Sequence, residues 1–208
     1  MIKNLVFDFG GVIADIDRQN AVKSFITIGL KDADERLDKY HQTGIFQELE
    51  EGKISDIDFL HSLEKLCKRL LTWDEVQQAW LGFLTGVNLE KLHLLEMLRK
   101  KGYHLYLLSN TNPFVMKWAC SKSFTTEEKA LYEYFDKLYL SYQIGYTKPE
   151  RAIFTHMIND ANIIPEETLF IDDGAANICE GKALGMHTFQ PQNATNWCAE
   201  LIGLIKET

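Results

Sequence analysis

The stretch that most constrains this chain is residues 3–12, Lys-Asn-Leu-Val-Phe-Asp-Phe-Gly-Gly-Val. An apolar run leads straight into the carboxylate of Asp8, and Gly10 and Gly11 follow at once. A short apolar run bounded by glycine reads as a strand buried on both faces, the kind found in a parallel sheet. Such a strand ends in an aspartate only where the charge finds a partner, because an unpaired buried carboxylate costs several kcal/mol or takes up a proton. In open α/β sheets ligands bind just beyond the carboxyl ends of the strands. Asp8 is therefore the first candidate for chemistry, with a cap on the turn before Gly10-Gly11 as the plainer alternative.

The pattern returns later in the chain. Tyr103 to Leu108 reads as an apolar strand ending in Ser109-Asn110-Thr111-Asn112, and Thr168 to Ile171 as another ending in Asp172-Asp173-Gly174. Lys137 to Ser141 and Met186 to Phe189 complete the strands, with helical segments between them: Leu89 to Lys101, pieces of Pro113 to Tyr134, a helix from Lys148-Pro149-Glu150 to Ala161, one ending at Leu184, and one from about Ala194. Alternation at this spacing predicts right-handed βαβ units and an α/β fold, a Rossmann-like doubly wound parallel sheet. Between Val12–Asp17, a short flap, and Val87 the character is helical, with a capping box at Thr72–Glu75 and a second start signal at Ser55–Asp58. The expected organisation is a core of residues 1–17 and 88–208 and a small helical cap, residues 18–87, inserted after the first strand.

Composition narrows the partners. A formal charge of −8 argues against a nucleic-acid surface, which needs clustered Lys and Arg. The four cysteines are scattered, without a CxxC pair, and no run approaches the length of a membrane span. Asp8 interrupts the one N-terminal apolar stretch, so the expectation is a soluble cytoplasmic protein, a monomer or weak homodimer, with no nucleic-acid or membrane partner.

Asp8, Asp172 and Asp173 brought to one sheet edge would repel one another unless a cation sat among them. An all-oxygen set without His or Cys points to a hard ion, Mg²⁺ before Ca²⁺. Lys148, just before Pro149 at the expected helix start, makes sense if it neutralises those carboxylates and a bound anion. Ser109 and the N–H groups after it are placed to bond the same anion. Metal, lysine, hydroxyl and a carboxylate nucleophile together describe phosphoryl transfer. Each segment alone has a plainer reading: Ser109-Asn110 a helix cap, Asp172-Asp173-Gly174 a turn, Lys148 a surface charge.

In their order, the four segments resemble the motifs of the haloacid dehalogenase superfamily across essentially the whole chain. The likeness is greatest to the group of bacterial α-D-glucose-1-phosphate phosphatases and the phosphatase domain of soluble epoxide hydrolase. It extends to Asp15-Ile16-Asp17, Glu51-Gly52-Lys53-Ile54-Ser55, Gly145 and Asn177. The resemblance implies that Asp8 is the nucleophile and forms an aspartyl-phosphate. It implies that Asp8, the carbonyl of Gly10 and Asp173 hold Mg²⁺, with Asp172 close by. It further implies that Ser109, Asn110 and Lys148 bind the phosphoryl group of a small phosphorylated metabolite, such as a sugar phosphate, and that Asn177 steadies the acidic loop.

One position departs from the pattern. Most phosphatases of this superfamily carry an acid–base Asp two residues after the nucleophile, and here that residue is Gly10. Asp15 and Asp17, on the flap, are candidates for the lost proton transfer, with turn capping or salt bridges as their alternative. Two other functions follow from the same residues: a phosphometabolite-binding protein made inert by Gly10, and a dehalogenase-type hydrolase. Cap residues His41, Phe46 and Glu48, and Trp118 after the second motif, are candidates for the substrate pocket.

Overall fold

The computed structural model describes residues 1–38 and 42–207. Five parallel strands form one sheet in the order β5-β4-β1-β6-β7: β1 (Asn4–Phe7), β4 (His104–Ser109), β5 (Lys137–Leu140), β6 (Thr168–Ile171) and β7 (His187–Phe189). β1 is central, with Phe7 level with Leu107 of β4 and Ile171 of β6. Period two sends Leu5, Phe7, Leu105, Leu107, Leu169 and Ile171 to one core, and Val6, Leu108 and Phe170 to the other. The three inner strands are thus apolar on both faces, as their unbroken runs predict. Helices α6 (Leu89–Lys100), α7 (Pro113–Ala119) and α11 (Cys198–Glu207) contribute to the first core, α9 (Arg151–Ala161) and α10 (Ala175–Ala183) to the second.

Among the described residues, five helices occupy the segment after the flap: α1 (Arg18–Thr27), α2 (Ala33–Arg36), α3 (Ile45–Glu50), α4 (Asp56–Cys67) and α5 (Trp73–Leu81). α4 and α5 both open on full capping boxes, Ser55 with Asp58 and Thr72 with Glu75. Their apolar faces meet in an aromatic cluster in which Phe46 packs on Phe25 (5.2 Å), Phe59 (5.1 Å) and Trp80 (5.5 Å). The same core continues into the sheet, where Trp73 lies 4.8 Å and Phe59 5.8 Å from Phe114 of α7.

Two features depart from expectation. The segment after α5 is not helical to Val87: Leu84–Val87 forms β3, antiparallel to the flap strand β2 (Ala14–Ile16). The chain therefore leaves and re-enters the core through a two-stranded ribbon. Leu-Thr-Gly-Val is short and carries a glycine, a weak strand signal that partner pairing overrides. Secondly, Ser141–Ile144 forms a short helix, α8, and the helix after Pro149 begins only at Arg151. Lys148 lies in the loop before it, so the helix dipole is not what it works against.

Candidate active site

β1, β4 and β6 end side by side, and their carboxyl ends bring the predicted groups together. The amide of Asp8 donates to the carbonyl of Ile171 at 2.9 Å, tying the first motif to the strand that carries Asp172 and Asp173. Gly11 follows at φ +80°, and a Cβ there would collide with the carboxylate of Asp173. Only glycine allows both that turn and that approach.

Lys148 is 1% exposed and lies between two carboxylates, with Nζ 2.6 Å from Asp172 Oδ2 and 2.9 Å from Asp8 Oδ1. Burial lowers its affinity for a proton, but Asp172 and Asp8 outweigh burial and lift its pKa above the ordinary lysine value. Asn110 fixes the loop: its Nδ2 donates to the Lys148 carbonyl at 2.9 Å, and its Oδ1 accepts from the Lys148 amide at 2.7 Å. Asp172, fully buried, accepts from Lys148, from the amide of Gly174 (2.7 Å) and from Asn177 Nδ2 (3.0 and 3.1 Å). Ser109 is buried at the end of β4, its Oγ 3.3 Å from the Asn110 carbonyl. A hydroxyl rotor can turn from so long a contact toward an anion.

Asp8 faces a cavity of about 70 Å³ lined also by Gly10, Ile16, Gln42, Glu50, Asn110, Lys148, Asp173 and Asn177. Its Oδ1 takes the amide of Phe9 (2.6 Å) and Lys148, which leaves Oδ2 as the oxygen for new bonds. Burial pushes the Asp8 carboxyl up, Lys148 pulls it down and Asp172 and Asp173 push it up again, to about 7. One ligand oxygen or equivalent from each of Asp8, Asp172 and Asp173 lies within 4.8 Å of the others. A buried all-carboxylate cluster whose central member resists ionisation fits a hard divalent cation such as Mg²⁺, which would hold Asp8 in its charged form.

Asp15 and Asp17 are not in this cavity. They flank Ile16 on β2, and it is Ile16 that lines it, so strand alternation turns both carboxylates elsewhere. Asp15 pairs with the buried Lys91 at 3.1 Å, and Asp17 caps α1, accepting from the amides of Gln19 (2.8 Å) and Asn20 (3.4 Å). Asp15→Asn is expected to leave turnover unchanged while costing ~1–3 kcal/mol, because Lys91 then keeps only the Val12 carbonyl (3.0 Å) as a strong acceptor. Asp17→Ala removes a cap worth ~1 kcal/mol and likewise spares turnover. Urea unfolding beside phosphate-release kinetics checks both.

The remaining pocket candidates also move. Phe46 is core, Glu48 is exposed, and Trp118 packs on Phe124 (5.4 Å) beside a different surface groove. His41 lies outside the described residues. The residue that sequence reasoning missed is Glu50, 8% exposed, at the last position of α3. A signal for it was present: Phe46, Leu49 and Glu50 stand at i, i+3 and i+4, which puts a carboxylate on the apolar face of a helix. Burial first, then the charges of Asp8 and Glu51, raise its pKa to about 8.

The sequence profile of the haloacid dehalogenase-like hydrolases matches residues 2–185. The chain belongs to this family. Within the haloacid dehalogenase-like hydrolases, it is 63% identical over 205 residues to a D-ribitol-5-phosphate phosphatase of Bacteroides thetaiotaomicron, covering 99% of each chain. It superposes with a TM-score of 0.95 on a HAD-like family hydrolase from Porphyromonas gingivalis, 42% identical, with 100% of both chains covered. A HAD family enzyme of Bacteroides thetaiotaomicron, solved with magnesium and inorganic phosphate, aligns at a TM-score of 0.87 and 36% identity over 95% of this chain and 98% of its own.

Proposed function

We propose that this hydrolase dephosphorylates a small polyol or sugar phosphate through an aspartyl-phosphate on Asp8, with residues 18–87 acting as a cap over the site. It is a Mg²⁺-dependent phosphatase: its 63% identical relative is a named phosphatase, and a structural neighbour binds magnesium and phosphate. The observation that carries the finer reading is Asp8 itself, a buried carboxylate with one oxygen held by Lys148 and Phe9 and the other turned to the cavity.

Asp8, the Gly10 carbonyl and Asp173 would hold Mg²⁺, with Asp172 beside them, and the ion would offset charge on the phosphoryl oxygens. The free oxygen of Asp8 attacks phosphorus as the bond to the substrate oxygen breaks. Lys148 favours the charged form of Asp8 and attracts the phosphoryl group, Ser109 turns its hydroxyl to the same group, and Asn110 holds Lys148 in position. Asn177 and the Gly174 amide hold Asp172 in place by hydrogen bonds. Water then cleaves the acyl phosphate and returns Asp8.

Phosphate release from D-ribitol 5-phosphate, α-D-glucose 1-phosphate and related esters, with and without Mg²⁺, tests this reading. The expected result is Mg²⁺-dependent release with the highest kcat/KM on D-ribitol 5-phosphate. A best rate on the anomeric phosphate would reassign the substrate, and saturable binding without release would leave a binding protein. A cytoplasmic location belongs to the same reading and is supported by four free cysteines; among the described residues no helix is long and apolar enough to cross a membrane.

A further inference from the structure

The geometry points to Glu50 as the group that protonates the leaving oxygen and then takes a proton from the attacking water, in place of the side chain that Gly10 lacks. This rests on the phosphatase reading above and assigns the proton transfers of that same site.

Four observations converge on Glu50. It stands where two cavities meet. The one around Asp8, Lys148 and Asp173 shares Gly10, Ile16, Gln42, Glu50 and Asn110 with a second, of about 90 Å³, lined further by Phe9, Trp80, Phe83, Leu84, Asn112 and Val115. A phosphate ester with its phosphorus at Asp8 and its carbon chain in the second cavity puts the bridging oxygen at this junction.

The place of the missing Asp carries no acid and faces an apolar side chain. A Cβ on Gly10 would lie 3.5 Å from Cγ2 of Ile16, an apolar neighbour for any acid built there. Among the described residues, the titratable groups of the two cavities are Asp8, Asp173, Lys148 and Glu50, and the first three are committed to nucleophile, metal and anion.

The Glu50 side chain is buried yet, among the described residues, its carboxyl makes no hydrogen bond or ion pair. Its neighbour Glu51 accepts from Gln47 Nε2 at 2.7 Å and pairs with Lys53 at 2.5 Å. Two adjacent acids on one turn thus have opposite environments: Glu51 is tied down by Gln47 and Lys53, whereas Glu50 is desolvated and shares the cavity with Asp8, and burial raises its pKa.

Finally, the turn that carries Glu50 is pressed onto the core. Gly52 has φ +66°, and a Cβ there would collide with the carbonyl oxygen of Tyr142 in α8. Glycine is required for that approach, which makes Gly52 a positioning residue for Glu50.

The steps balance. As the Asp8 Oδ–P bond forms and the P–O bond breaks, the Glu50 carboxyl gives its proton to the departing alkoxide, releasing an alcohol. The Glu50 carboxylate then removes a proton from water as the water oxygen bonds to phosphorus and the P–O bond to Asp8 breaks. Inorganic phosphate leaves, Asp8 is again a carboxylate and Glu50 is again protonated.

The test compares two esters on the Mg²⁺-loaded enzyme and on Glu50→Gln, which keeps the shape and neutrality of the protonated acid. With D-ribitol 5-phosphate, kcat is expected to fall by about 10²–10⁴-fold while KM changes little. With p-nitrophenyl phosphate, whose phenolate leaves without a proton, the variant is expected to release a burst of one p-nitrophenolate per site before slow turnover. Formate should restore part of the turnover of Glu50→Ala, which a purely structural role would not allow. A raised KM with kcat kept would overturn the proposal in favour of hydroxyl recognition. Equal loss of the burst and of ester turnover, or loss on His41→Ala with Glu50→Gln unaffected, would also overturn it. Failure of the phosphatase reading looks different, since wild-type enzyme would then release phosphate from neither ester.

Discussion

Asp8→Asn is expected to abolish phosphate release, by at least about 10⁴-fold, while the protein stays as stable as wild type or becomes more so. Asparagine keeps the acceptor oxygen for the Phe9 amide, but it offers phosphorus no nucleophile, and losses of this size are usual when a nucleophile goes. Stability should not suffer because Asp8 is a strained charge in the metal-free protein. Its carboxyl, pushed to about 7, ionises in the folded state only against burial and two neighbouring carboxylates. A group with its folded pKa raised above the unfolded value supports folding below the unfolded pKa, and that support is lost as pH rises through the folded one. Removing the charge should therefore raise the melting temperature in chelator at pH 8 more than at pH 5. Thermal scans at the two pH values, beside phosphate release with Mg²⁺, check both halves. Retained turnover would remove Asp8 from the chemistry.

Lys148→Met is the second change with a large effect, and it acts on stability and rate together. The ammonium is 1% exposed and serves two carboxylates, so truncating it leaves Asp8 and Asp172 facing each other without their cation. Breaking a buried ion pair from one side typically costs ~3–5 kcal/mol. In chelator the deficit should grow as pH rises from about 5 toward 8, because Asp8 then ionises with no ammonium beside it. Mg²⁺ should recover much of the stability but not the rate, since the phosphoryl group has lost the positive charge that Lys148 supplies. Urea unfolding with and without Mg²⁺ separates the two effects. A variant as stable as wild type in chelator would mean that the two carboxylates do not depend on Lys148.

Much of this site is legible in the sequence because it sits at strand ends. An unbroken apolar run stopped by a polar group marks both a buried strand and its functional edge, and β1, β4 and β6 all carry that signature. The capping box at Thr72–Glu75 and the start signal at Ser55–Asp58 announce α5 and α4 for an equally local reason, since the cap hydrogen bonds are made within four residues. What sequence could not supply depends on pairing and approach. β3 exists because β2 is beside it. Asp15 and Asp17 stand beside the cavity in sequence, but register puts Ile16, not its neighbours, in its lining. Glu48, Glu50 and Glu51 are chemically alike; helical spacing with Phe46 and Leu49 picks out Glu50, but the approach of Gly52 to Tyr142 that presses its turn onto the core depends on the fold.

The two walls of the site are fastened to the molecule by different kinds of contact. On the sheet side the Asn110 amide exchanges two hydrogen bonds with the backbone of Lys148, and Asp172 is held by three donors. On the other side the helices of the insertion meet α7 ring against ring, Trp73 and Phe59 on Phe114, with a hydrogen bond of 3.0 Å from Gln77 to the Phe114 carbonyl, while the β2–β3 ribbon joins the insertion to the core. Hydrogen bonds are directional and resist displacement, whereas packed apolar faces slide by small shear steps at little cost. The site is in effect a vice with one stiff jaw and one compliant jaw. On the proposed phosphatase reading, differences in the length or shape of the alcohol would fall to the apolar side, and the hydrogen-bonded side would keep the spacing of the atoms that meet phosphorus.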